Sequence, residues 1–237
     1  MKIKLYYSVL LAVFILSGCT ADKGFVYSHD RVNSYRTSGY SHYVEENYEQ
    51  ALADFNKAIK INPINYDAYF HRAELYKQQK EYDLALADFN KAIELNPYPP
   101  YYLGRGSVYY MKKQYDLAIK EYIKAIRLGN YPPAYHDLAW LLATCSDEKY
   151  RDGSKAVAFA EKAVGFGKRA GYHIVLEPQV LNTLAAAYAE AGDFDMAVKS
   201  QEKAIQLLKT EGNLEHLDGF ENRLESYKKN ISWTDIF

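Results

Sequence analysis

The side chains in this sequence that could do chemistry are few and widely spaced. Six histidines, His29, His42, His71, His136, His173 and His216, are the first candidates for metal binding or general-base work. No two of them stand at the HExxH or i, i+4 spacing that puts a zinc pair on one helix face. Gly104-Arg105-Gly106 starts like a phosphate loop, but no Gly-x-Gly-x-x-Gly or Gly-Lys-Ser/Thr completes it. Cys145 ends an apolar helical stretch, Leu138 to Thr144, and reads as a small buried filler. A nucleophilic thiol needs a histidine or a positive helix end beside it. His136 precedes Cys145 by nine residues on the same helix, about 13 Å along the axis and out of reach. Asp and Glu pairs are common but fall on solvated helix faces. These residues predict no catalytic centre, no metal, no cofactor and no small-molecule substrate. The net charge of −1 gives no general basic field for nucleic acid.

Cys19 has a different setting. Lys2 and Lys4 precede an apolar run of 12 residues, Leu5 to Leu16. That run spans about 18 Å, too short for a hydrocarbon core of ~30 Å, and it reads as a signal peptide over residues 1–18. It ends in Leu16-Ser17-Gly18-Cys19, which resembles the lipobox of bacterial lipoproteins. The resemblance implies cleavage before Cys19 and a diacylglyceryl group on its thiol. Lys2 and Lys4 would leave, and 27 basic against 30 acidic residues give a mature charge of −3. Several acyl chains hold a protein stably on a membrane where one is marginal. Thr20, in place of an aspartate, implies the outer membrane, facing the periplasm. Cys145 is then alone. Residues 19–31 read as a tether.

The elements that carry the rest of the chain are written out repeatedly. Tyr48 to Pro63 reads YEQALADFNKAIKINP, and Tyr82 to Pro97 reads YDLALADFNKAIELNP. The copies lie 34 residues apart and agree at 12 of 16 positions. A period of this length marks a helical repeat array. In the first copy Tyr48, Ala51, Leu52, Phe55, Ala58 and Ile59 fall on one helix face, and Asn62-Pro63 stops the helix. Tyr69, Arg72, Ala73 and Tyr76 form the helix before the second copy, with Ala73 small enough for close helix approach.

This pattern resembles the tetratricopeptide repeat. The resemblance implies an all-α fold, an α-α superhelix of about five helix-pair repeats with a C-terminal capping helix. The units run over 32–65, 66–98, 99–131, 132–168 and 178–211, with the cap at 212–229. The first unit is atypical at its first helix, with Ser38 and His42 at positions usually large and aromatic. In the third, Gly129 is expected to supply a left-handed cap. In the fourth, SDEKYRD is inserted between the helices and reads as a surface insertion.

First helices of such repeats line a concave surface that binds peptides or partner domains. One stripe on each of them, at offsets 0, 4 and 7, shares a face. The likeness aims that stripe into the groove. It carries Arg36, Tyr40 and Tyr43, then Phe70, Glu74 and Lys77, then Tyr110, then His136 and Trp140. Exposed aromatics in a concavity are typical anchors, and Arg36 and Lys77 are expected to meet ligand carboxylates. The stripe lacks the Lys/Asn clamp of chaperone-binding members. The function implied is a non-enzymatic protein-binding scaffold of the cell envelope. The alternatives are a self-assembling envelope subunit and an adaptor for a cell-wall enzyme.

Overall fold

The computed structural model describes residues 23–169, 178–212, 214 and 216–234. The signal segment, Cys19 and Thr20 lie outside these residues. Among those described the chain is all-α. Five helix pairs follow one another: α1 (Lys23–Val44) with α2 (Tyr48–Ile61), α3 (Tyr66–Gln78) with α4 (Tyr82–Leu95), α5 (Pro99–Met111) with α6 (Tyr115–Gly129), α7 (Pro132–Thr144) with α8 (Gly153–Arg169), and α9 (Pro178–Glu190) with α10 (Phe194–Glu211). Helix α11 (Leu217–Lys228) follows. Each helix packs on its sequence neighbours, and first helices also touch first helices of adjacent pairs. This is a superhelical stack of five pairs plus a cap.

Local signals set the helix ends. Asn65 caps α3 by accepting a hydrogen bond from the Ala68 amide at 3.1 Å, and Asp193 caps α10 from Met196 at 3.1 Å. Pro99-Pro100 and Pro132-Pro133 fill the first turns of α5 and α7, where a missing N–H costs nothing. Asn62 and Asn96 leave α2 and α4 in extended conformation, as their following prolines require. The cap of α6 differs from expectation. Gly129 is its last helical residue, and Asn130 adopts the left-handed conformation at φ 48°. Asparagine tolerates that region because its short polar side chain hydrogen-bonds locally; here Asn130 accepts from the Tyr135 hydroxyl at 3.1 Å.

Helix α1 also starts earlier than the unit boundary at 32. It begins at Lys23, inside the stretch read as a tether. Aligning Gly39 with Ala73 and Gly106 shows α1 extending nine residues beyond the start of its counterparts.

Close approach within each pair rests on missing side-chain volume. A Cβ on Gly39 would sit 2.6 Å from the Phe55 ring, and one on Gly106 2.7 Å from Tyr122. Ala73 and Ala92 are fully buried. Gly104 performs the same service between pairs, where an added Cβ would lie 2.5 Å from Phe89.

The helix faces expected to be solvated hold buried carboxylates. Asp54 and Asp88 are buried. Arg72 grips Asp88 with two nitrogens, at 2.6 and 2.7 Å, and reaches back to Asn56 of the preceding pair. Arg105 does the same with Glu121, at 2.7 and 3.1 Å, and Asn90. In the first pair the partners are Ser38 at 2.7 Å and His42 at 3.1 Å, both on Asp54 Oδ2. The two atypical residues of α1 thus replace an arginine.

The inserted loop after α7 is tied down. A short 3-10 turn (Glu148–Tyr150) sends the Tyr150 hydroxyl to Asp116 at 2.7 Å. Arg151 donates to Glu190 at 3.0 Å and to the Cys145 carbonyl at 3.1 Å. Cys145 is buried beneath it, and burial pushes its thiol pKa up. The loop bridges α6 and α9.

Candidate functional site: a closed end of the concave groove

First helices α1, α3, α5, α7 and α9 are adjacent along one side of the stack, so their shared stripe forms a groove. The structure places the ten expected positions unevenly. Cys19 lies outside the described residues. Tyr40 is 50% exposed, against Tyr43 at 6.5 Å between ring centroids and His71 at 5.2 Å. Tyr43 is half-buried, and burial followed by the Glu74 charge raises its phenol pKa.

Phe70 is not a free anchor. Its ring lies 4.9 Å from Tyr101 and 6.1 Å from Phe89, in the packing between the second and third pairs. Arg36 sits 3.9 Å from Asp67, and Lys77 bonds Glu74 at 2.6 Å. Both cations, expected to face a ligand, therefore already have carboxylates of the chain itself. Within one helix turn, a Lys77 to Glu74 pair satisfies both ends locally.

Tyr110, His136 and Trp140 come together farther along. They line a cavity of about 540 Å³ with residues from α5, α6, α7, α9 and α11. Its apolar wall is Tyr110, Met111, Trp140 and Phe220. Its polar wall is Ser107, Asp137, Gln179, Asn182 and His216. Arg223 of α11 lies 5.5 Å over Trp140, 5.8 Å over Phe220 and 5.1 Å over Trp233, and donates to Asn182 at 3.3 Å. This stacking places a guanidinium between three rings, a favourable arrangement for a desolvated cation.

The pattern in the sequence did not disclose this closure. Residues 212–229 read only as a solubilising cap. In the structure α11 occupies the place of a sixth first helix, so Gly219, Phe220 and Arg223 face the groove. The signal available was Phe220 and Arg223, three apart and hence on one helix face.

One arrangement in this cavity has the form of a nucleophile relay. His136 Nδ1 bonds Asp137 at 2.9 Å, and its Nε2 bonds the Thr183 hydroxyl at 2.9 Å. A nucleophile has to come within about 3–3.5 Å of the reacting carbon. Thr183 is 1% exposed and held against α7, which leaves little room for such an approach. The line of bonds works as a strut between the fourth and fifth pairs. Ser107 stands 3.5 Å from Asp137. Burial, and next the Asp137 charge, push the Tyr122 phenol far above its ordinary range. Among the described residues no group of three metal-ligating side chains is present. No described helix is long and apolar enough to cross a membrane.

A stack of helix pairs with a concave groove is the architecture of interaction solenoids. Family models bear this out: one for the tetratricopeptide repeat matches residues 66–99, one for the TPR repeat matches 39–80, and a further tetratricopeptide model matches 99–128 and 178–207. Those stretches are tetratricopeptide repeats, and the fold is a tetratricopeptide solenoid. A comparison with curated proteins finds no match. Among solved structures, a thermophilic TPR protein of Thermus thermophilus, TTC0263, is 21% identical, with a TM-score of 0.61 over 84% of this chain and 99% of its own. The Pseudomonas aeruginosa pilF protein is 18% identical, with a TM-score of 0.63 over 84% and 92%. YrrB, described as a TPR protein with an unusual peptide-binding site, is 19% identical, with a TM-score of 0.53 over 80% and 90%. At these identities the likeness is one of fold.

Proposed function

We propose that this protein is a non-enzymatic scaffold that holds an extended peptide or a loop of a partner protein in its concave groove. The observation that carries this reading is the cavity at the closed end, where Trp140, Tyr110 and Phe220 offer an apolar recess beside Asp137 and Asn182. A recess of that size takes a short stretch of peptide with its large side chains, while polar groups at its rim meet the ligand backbone. Tyr40 and Tyr43 lie at the far end of the same groove and supply a second ring platform. The lipobox-like Leu16-Ser17-Gly18-Cys19 motif supports an envelope lipoprotein, anchored through Cys19 and placed at the outer membrane facing the periplasm. YrrB, as a peptide-binding protein of this fold, supports the ligand class.

The test is a peptide library displayed against the immobilised full chain, followed by calorimetry. Selected peptides are expected to lose at least tenfold in affinity on Trp140→Ala and to keep their affinity on Leu117→Ala, far from the groove. Equal affinity for both variants, with helicity retained, contradicts the reading. Acyl labelling of wild type but not Cys19→Ser checks the anchor separately.

A further inference from the structure

The recess at the closed end contains a polar group that the fold orients and then leaves without a partner. Asn182 is 6% exposed and lines the cavity from α9. Its Oδ1 accepts from Arg223 at 3.3 Å. A guanidinium only donates, so the amide cannot sit the other way round. Nδ2 is thereby fixed as a donor, and among the described residues it has no acceptor. It is not sealed inside the protein either, so its open side is the cavity. A buried donor left unmade is costly. Packing gives no reason for one here, whereas a ligand that brings an oxygen does.

Asp137 of α7 supplies the complementary acceptor. Its Oδ1 bonds His136 Nδ1 at 2.9 Å, while Oδ2 has only a long contact of 3.5 Å with Ser107. The side chain is 31% exposed, within reach of a ligand. Its charge is felt in the recess. After burial it is the next cause of the raised phenol pKa of Tyr122, which lines the same cavity.

These two groups select by charge and by bonding together. A Lys or Arg side chain has no lone pair for Asn182 and meets the Arg223 guanidinium. Glu or Asp offers oxygens but no hydrogen, and meets the Asp137 carboxylate. An apolar side chain displaces water without replacing its hydrogen bonds. A primary carboxamide accepts through its oxygen and donates through its NH2. It is also a terminal group. A main-chain peptide unit has a Cα on either side that would have to follow it down to a donor as buried as Asn182.

We infer that the recess is specific for a neutral carboxamide: a glutamine or asparagine side chain of the ligand accepts from Asn182 Nδ2 and donates to Asp137 Oδ2. This rests on the groove reading above and names the side chain that the recess takes. Arg223 holds the Asn182 amide in its productive orientation, so α11 sets specificity as well as closing the groove.

The experiment selects random-sequence peptides displayed on phage against the immobilised full chain and discards clones that also bind Trp140→Ala. The remaining clones are expected to share one Gln or Asn. Synthetic peptides with that residue changed to Glu, Lys, Tyr or Leu are expected to bind at least about tenfold more weakly in calorimetry. Asn182→Asp keeps an acceptor for Arg223 and removes the donor. It is expected to weaken the Gln peptide about tenfold with helicity retained. Asp137→Asn removes the charge and is expected to shrink the preference for Gln over Glu. A shared residue of any other kind, no shared residue, or equal binding of the Gln peptide to wild type and Asn182→Asp overturns the inference and leaves the groove reading standing. If no clone depends on Trp140, the groove reading fails and this inference fails with it.

Discussion

At the residue scale, the features that set stability are carboxylates and glycines in places a helical pattern does not flag. Asp54 shows the balance. Burial alone would raise its pKa, but hydrogen bonds from Ser38, Lys57 and His42 outweigh burial and hold it below the usual carboxylate range. A depressed carboxylate stabilises the fold above its unfolded pKa of about 3.9 and loses that contribution as pH falls through the folded value. Melting temperature is therefore expected to fall below about pH 4, and Asp54→Asn should flatten this acid limb. At neutral pH the same substitution should cost about 2 kcal/mol, the scale of a hydrogen bond to a charged group. An unchanged acid limb in thermal scans of the variant rules this out. Volume gives a second check at the same scale. Ala92 is fully buried, so Ala92→Leu should cost about 1–3 kcal/mol by overpacking. Lys91→Ala, which loses only an outlying pair with Glu94, should stay within about 0.5 kcal/mol. Equal denaturation midpoints for the two would contradict the register of the repeat.

At the element scale, the turn between the two helices of a pair demands a left-handed residue. Glu46, Lys80 and Lys113 occupy it at φ 60°, 63° and 58°, and Gly192 does so at 85° in the last pair. A non-glycine residue there costs roughly 1 kcal/mol. Lys113→Gly is expected to raise stability by up to about 0.5 kcal/mol in urea melts, because the strain relieved exceeds the entropy lost; a lower midpoint contradicts that balance. The helix pairs themselves were legible, because a 34-residue period with apolar faces, small residues and Asn-Pro stops needs no tertiary information. What stayed hidden depends on which helices meet. Phe70 sits on the groove stripe, yet Tyr101 of the next pair packs on it. Arg72 and Arg105 matched a large position in the pattern, and their partners are 16 residues away on another helix. The Asn130 cap was misplaced by one residue because glycine and asparagine share the same region.

At the scale of the molecule, the groove is open at its first pairs and closed at its last. Tyr40 and Tyr43 present rings at one end, and α11 builds a recess at the other with Phe220 and Arg223 against Trp140. Part of the candidate stripe reached this arrangement from sequence: Tyr110, His136 and Trp140 line the recess, whereas Arg36, Glu74 and Lys77 are spent on pairs within the chain. Closure came from a segment outside the repeat pattern, which is why the period did not reveal it. The central claim is that a ligand lies in this groove and enters the recess. The direct measurement is site-specific photo-crosslinking of a display-selected peptide to the full chain. A benzophenone side chain is placed at Met111, which is exposed at the rim of the recess, or at Leu84, which is exposed on α4 away from it. Crosslinks are expected from position 111 and not from position 84, with loss of the 111 crosslink on Trp140→Ala. Crosslinking from position 84 with none from 111 would place the ligand elsewhere and contradict the account.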